Sequence, residues 1–298
     1  AKGYSNIITK THKELDLLNQ EAVNTFFAKE KPDYVFLAAA HVGGIGANST
    51  YPADFIYRNM MIGFNVVEAS RQNGVKKLMN LGSTCIYPKM AEQPIKEESL
   101  LTGALEPTND AYALAKISVI KLCTAYNKQH GTNFLSVMPT NLYGPGDNYE
   151  LQGSHVLPAM IRKFHEAKIN KTDKVELWGD GSPLREFLYS EDLADAVVYL
   201  MENCNASDLR TPTGDFVNVG SGIELTIKEL AETICEIVYE DCSNRKCTLS
   251  WDSSKPNGTP RKLCDITRLL NLGWKPKTNL KAGIKLAYQD FLSGNVKL

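Results

Sequence analysis

Apolar positions recur at helical spacing over residues 20–30, where Ala22, Val23, Phe26 and Phe27 share one face. After Pro32 the pattern changes to a near-continuous apolar run, Tyr34-Val35-Phe36-Leu37-Ala38, as in a buried parallel strand. A long helix is predicted over 51–72, ending before Gly74, and a short buried strand over 78–81 that stops at Gly82. A second long helix over 111–130 is closed by Gly131, and another buried strand follows over 134–138. Asn6-Ile7-Ile8-Thr9 reads as a further strand near the amino end. This alternation is the βαβ pattern, so the expected fold is α/β with a Rossmann-like, doubly wound parallel sheet.

The second half carries shorter elements. Residues 139–146, Pro-Thr-Asn-Leu-Tyr-Gly-Pro-Gly, are dense in turn formers, and helices are predicted over 156–168, 191–202, 227–239 and 280–292. Strands are expected at 175–178, 216–219 and 248–251, with Gly179-Asp180-Gly181 as a turn. The change in pattern divides the chain into a dinucleotide-binding domain over 1–150, to which later segments return, and a mainly substrate-binding α/β domain over 151–298. No repeat or low-complexity linker interrupts it.

A chain of 298 residues with 43% hydrophobic content suits one large domain and a smaller one. Its 33 basic and 34 acidic residues leave a formal charge of -1, which offers no global attraction to nucleic acid or an anionic membrane. An anionic ligand therefore needs a local basic site. No apolar run approaches the roughly 20 residues that span a bilayer, and no charged-then-apolar leader opens the chain. The expected location is the cytoplasm. Seven scattered cysteines, without C-x-x-C spacing, read as reduced thiols and leave no metal site expected.

The candidate chemistry centres on Tyr112 and Lys116. Four residues apart on a helix they face the same side, so the ammonium is expected beneath the phenol, pulling its pKa down toward working pH. Such a tyrosine can pass a proton to a carbonyl oxygen. Ser83, Thr84 and Cys85 follow the 78–81 strand, at the carboxyl edge where open α/β sheets place their ligands. Ala38-Ala39-Ala40-His41-Val42-Gly43-Gly44 supplies small residues for a close backbone approach or simply a tight turn.

With Gly82-Ser83-Thr84-Cys85-Ile86-Tyr87-Pro88, Tyr112-Ala113-Leu114-Ala115-Lys116, Tyr143-Gly144-Pro145 and Lys255-Pro256-Asn257-Gly258-Thr259-Pro260-Arg261-Lys262, the chain resembles the extended short-chain dehydrogenase/reductase family. Within it, the resemblance is to the epimerase-reductases of nucleotide sugars and runs along nearly the whole chain. That pattern opens with a strand and a Gly-x-x-Gly-x-x-Gly loop, whereas residues from Ala1 match its second strand. The numbered chain is therefore expected to begin inside a domain.

The resemblance implies NADPH-dependent inversion at C3 and C5 of GDP-4-keto-6-deoxymannose, followed by reduction of the ketone. Ser83 and Tyr112 would clamp the carbonyl, Lys116 would tune Tyr112 and hold the nicotinamide ribose, and Cys85 and His155 would exchange protons at the inverted carbons. For NADP(H), the resemblance points to His12, Asp16 and Leu17 at the adenosine end, with Lys10 and Lys13 near a 2′-phosphate. It points to Ala39, Leu81, Gly82, Ser83, Thr84, Tyr112, Lys116, Pro139, Thr140, Asn141, Leu142 and His155 along the rest of the cofactor. For the GDP-sugar it implies Lys163, Trp178, Arg185, Asn257 and Arg261, with Lys262 serving the same anion as Arg261. A homodimer through the two long helices is expected. The alternatives are another nucleotide-sugar epimerase or dehydratase with bound NAD, and an inactive nucleotide-sugar sensor.

Overall fold

The apolar runs form a five-stranded sheet whose helices cover both faces. In the computed structural model, residues 3–151, 153–172, 174–242, 247–255 and 257–294 are described. Helix α1 (Gln20–Glu30) leads to strand β1 (Tyr34–Leu37), then to α2 (Ile45–Thr50), α3 (Pro52–Gln72) and β2 (Lys77–Leu81). After α4 (Asp110–His130) come β3 (Phe134–Pro139), β4 (Asn141–Tyr143), α5 (Val156–Ile169), β5 (Lys174–Trp178), β6 (Leu184–Tyr189) and α6 (Ser190–Asn203). The remainder is β7 (Arg210–Thr211), β8 (Gly214–Val219), β9 (Glu224–Thr226), α7 (Ile227–Val238), β10 (Thr248–Asp252), β11 (Arg261–Lys262), α8 (Thr267–Asn271) and α9 (Leu280–Leu292).

The main sheet has the order β1-β2-β3-β8-β7, parallel from β1 through β8. Successive residues point to opposite faces. Leu78 and Phe134 pack with Val23, Val66 and Val119 from α1, α3 and α4, while Met79 and Leu135 pack with Leu193, Val197 and Leu269 from α6 and α8. A second unit joins β10 to β5 and packs α5, α7 and α9 around Phe164, Leu230 and Ile284. The short sheet β11-β6-β4, with β9 on the flank of β6, touches both, since β6 meets α6 of the first unit and α9 of the second. Helices α3 and α4 cross closely because position 63 is glycine: a Cβ there would lie 2.2 Å from Cγ2 of Val119.

Four expectations change. Asn6-Thr9 joins no ladder, and Ile7 and Ile8 are exposed, because no neighbouring strand is within pairing reach among the described residues. The Tyr34-Ala38 run is paired on one side only, so Tyr34 and Phe36 are exposed rather than buried. Part of the 139–146 turn is strand β4, recruited in parallel by β6. Strand β6 itself carries Arg185 and Glu186 within Leu-Arg-Glu-Phe-Leu-Tyr, which hides its strand character from a hydrophobic pattern. Pro256 of the Lys255–Lys262 motif lies outside the described residues.

Candidate active site

Strands β1, β2 and β3 are parallel neighbours, so the segments leaving their carboxyl ends meet along one edge. Ala39 follows β1, Gly82 and Ser83 follow β2, and Thr140 follows β3. The turn at Gly82 is tight, since a Cβ there would sit 2.5 Å from the Met138 sulfur and 3.0 Å from the Val137 carbonyl. Ser83 then caps a single 3-10 turn, Thr84–Ile86, and its Oγ accepts the Cys85 N–H at 3.2 Å. That turn presents the Cys85 thiol on the same side as the Ser83 hydroxyl, while Thr84 is buried beneath.

Tyr112 and Lys116 lie on the first turns of α4, and the Ser83 side chain is near enough to the Tyr112 phenol to pull its pKa down. Ser83, Cys85, Tyr112 and Lys116 therefore converge as the sequence implied. The electrostatics differ. Lys116 is buried and donates to the Leu81 carbonyl at 2.9 Å, 5.7 Å from the Tyr112 ring centre. Burial lowers Lys116 to about 8. Burial, together with the neighbouring Cys85, raises Tyr112 above an ordinary phenol, and only Ser83 pulls it down. The expected depression of Tyr112 by Lys116 is absent, because removal from water dominates.

Cys85 shifts the other way. Burial pushes its thiol up, but the Lys262 ammonium and hydrogen bonds with Ser83, Lys262 and Asn109 bring the net direction down. Lys262 Nζ stands 3.4 Å from Sγ. His155 caps α5 and is exposed, with no hydrogen bond to Ser83, Cys85 or Tyr112 among the described residues. Its loop abuts the β1 side of the edge: a Cβ on Gly44 would lie 3.5 Å from the carbonyls of Gly153 and Ser154. Phe55 links that side to Tyr112, standing between it and His41. Cys85 approaches from the Lys262 segment and His155 from the Gly44 turn.

On the anion side, Arg185 donates to the carbonyls of Leu184 and Asn257 and has no carboxylate partner among the described residues. Burial lowers its pKa. Lys163 likewise meets only the Glu176 carbonyl, at 3.0 Å. Trp178 is 59% exposed, with Lys255 5.6 Å from its ring centre. Asn257 accepts the Asp180 N–H at 3.0 Å, joining the turn after Trp178 to Arg185.

Arg261 is engaged within the protein. It grips Glu224 through Nε at 2.8 Å and Nη2 at 2.6 Å, so its fork is occupied. Adjacent residues on a strand face opposite ways, so Lys262 points away from Glu224. Lys262 is instead the register partner of Arg185.

At the dinucleotide edge, Thr140 Oγ1 and Asn141 Nδ2 donate to the Glu186 carbonyl, at 3.3 and 2.8 Å, so these side chains secure β6. Leu142 packs against the core between β3 and α6, and Pro139 ends β3. His12 and Asp16 are an exposed pair at 3.8 Å, and the Leu17 carbonyl is held by Asn65 at 2.8 Å. Lys10 faces Glu14 at 4.0 Å. The site fits a dinucleotide at its nicotinamide-ribose end: Lys116 uses one of three donors internally, and Ala39, Gly82 and Pro139 bring the backbone close. It fits a sugar as well, because buried Asn109 Oδ1, Asn48 Oδ1 and Ser154 Oγ have no partner among the described residues and can meet hydroxyls.

Residues 2–220 match the NAD dependent epimerase/dehydratase family model. The chain belongs to this family. It is 52% identical to the GDP-L-fucose synthase of Escherichia coli over 293 residues, 98% of this chain and 90% of that protein. Among solved structures, a GDP-L-fucose synthetase from Naegleria fowleri bound to NADP superposes with a TM-score of 0.83 at 30% identity, covering 96% of this chain and 85% of that one. A GDP-mannoheptose C4 reductase from Campylobacter jejuni with NADP bound reaches 0.87 at 40% identity, covering 98% and 91%. Beside the residues named from the sequence, the structure brings Asn109 and Lys262 next to Cys85, and the buried Glu186 beneath the 261–265 segment; Asn109 and Glu186 carried no sequence signal.

Proposed function

We propose that this chain is an NADP-dependent epimerase-reductase converting GDP-4-keto-6-deoxy-D-mannose to GDP-L-fucose, with Ser83, Cys85, Tyr112, Lys116 and His155 as its machinery. The grouping of Ser83, Tyr112 and a lysine-paired Cys85 at one strand end carries the reading, and the similarity to the Escherichia coli protein supports the substrate. When bound, NADPH supplies the hydride that reduces the ketone carbon.

The side chains do the rest. Ser83 and Tyr112 hydrogen-bond the ketone oxygen, which acidifies the C–H bonds on either side of it. Cys85 removes a proton from one of these carbons, and His155 returns one from the opposite side. Tyr112, kept protonated by burial, gives its proton to the oxygen when the carbonyl is reduced. Lys116 holds the nicotinamide ribose, and Lys163 and Arg185 bind the diphosphate, with Trp178 and Asn257 flanking the base.

We further infer that 1–150 and the β8 segment form the dinucleotide half and 151–298 mainly the sugar half. The chain is a homodimer through α3 and α4, whose exposed Tyr57, Phe64 and Leu114 support that contact. Seven free thiols support a reducing, cytoplasmic setting.

The test is NADPH oxidation with GDP-4-keto-6-deoxymannose, followed with deuterium uptake from solvent at C3 and C5. Tyr112→Phe is expected to lose about 10²-fold or more in reduction, and Cys85→Ser a comparable factor in uptake. Reduction without uptake would leave only a C4 reductase, and neither would overturn the assignment.

A further inference from the structure

The segment 261–265 is stitched down on several sides. Arg261 spans β6 to reach Glu224, Leu263 N–H donates to Gln93 at 2.8 Å, and Cys264 N–H donates to the buried Glu186 carboxylate at 2.9 Å. Ile95 bridges Cys264, and Asn218 Nδ2 reaches the Asp265 carbonyl. Strand alternation then turns Lys262 away from Glu224 and toward Cys85.

Other titratable groups around the small cavity beside Cys85 are already engaged. Lys89 pairs with Glu106 at 3.0 Å, Arg261 with Glu224, and Tyr87 donates to Asn218. Tyr112 and Asn109 complete the surroundings from α4 and its cap. Lys262 is the cation left for the thiol, and it has no carboxylate partner among the described residues.

We propose that Lys262 is a positioning residue for the epimerisation, holding Cys85 as a thiolate ready to act as base; this rests on the function proposed above. The thiolate takes the proton from a carbon beside the ketone, forming S–H. The C–H electron pair becomes the enolate, whose charge falls on the oxygen held by Ser83 and Tyr112. Protonation from the His155 side restores the ketone with the centre inverted. No electrons are gained or lost, and Lys262 keeps its proton throughout.

The pair is tested without substrate by following iodoacetamide alkylation of Cys85 against pH, read by mass spectrometry of its peptide. The wild-type midpoint is expected below the roughly 8.5 of an ordinary thiol. Lys262→Gln should raise it by about one unit or more, slowing alkylation at neutral pH about tenfold, while Lys262→Arg should keep it low. With substrate, the acid limb of deuterium uptake should move upward by the same amount in Lys262→Gln.

A wild-type midpoint at or above the ordinary value overturns the proposal with no variant needed. An unmoved midpoint in Lys262→Gln, with only KM raised, also overturns it and makes Lys262 a diphosphate ligand. A shifted midpoint with no uptake on this GDP-sugar supports the pair and overturns the substrate reading instead.

Discussion

Lys116 shows how burial overrides spacing at the scale of one residue. Helical geometry brings Tyr112 and Lys116 to one side, but both sit where removal from water outweighs their mutual effect. Because Lys116 titrates near 8, it is a full cation below that pH and loses charge above it. NADPH affinity should therefore be flat below about 8 and weaken above it, as read by titration of bound-cofactor fluorescence. The ligand-free protein gives the complementary sign. From about 8 to 10.5 the unfolded chain holds a proton that the folded chain has released, so stability should rise with pH across that window. Lys116→Met should remove this component from the pH dependence of thermal unfolding.

Two elements carry predictions of their own. Strand β11 carries Arg261, whose pairing with Glu224 ties it to β9, so a role as a strut and a role as an anion ligand predict different outcomes. Arg261→Gln and Glu224→Gln should each lower stability only slightly, and the double variant little more than either alone. A diphosphate ligand would instead raise KM in Arg261→Gln and leave Glu224→Gln unaffected. The α3–α4 crossing depends on Gly63, where an added Cβ meets Val119. Gly63→Ala should destabilise by about 1–3 kcal/mol in denaturant unfolding, with rescue by Val119→Ala.

At the scale of the molecule, the same two helices present apolar residues outward. Tyr57, Met61 and Phe64 fall at i, i+4 and i+7 along α3 and form one stripe. If the proposed dimer forms through this stripe, sedimentation should show a dimer for the unaltered chain and a monomer for Tyr57→Asp/Phe64→Asp.

Periodicity alone determined the helices near 20–30, 51–72, 111–130 and 280–292 and the strands near 78–81 and 134–138, because each buries one regular face or lies wholly inside. The nearness of Ser83, Cys85, Tyr112 and Lys116 was legible for a similar reason, since it depends on a strand end and a helix repeat, both local. Tertiary structure alone decided the rest. Strand β6 exists because β4, β9 and β11 pair with it, and its buried Glu186 is satisfied by backbone N–H groups from Gly222 and Cys264. Lys262 meets Cys85 across 177 positions of chain. Spacing reports which residues share a face, whereas the pKa of a buried group depends on what lies opposite it.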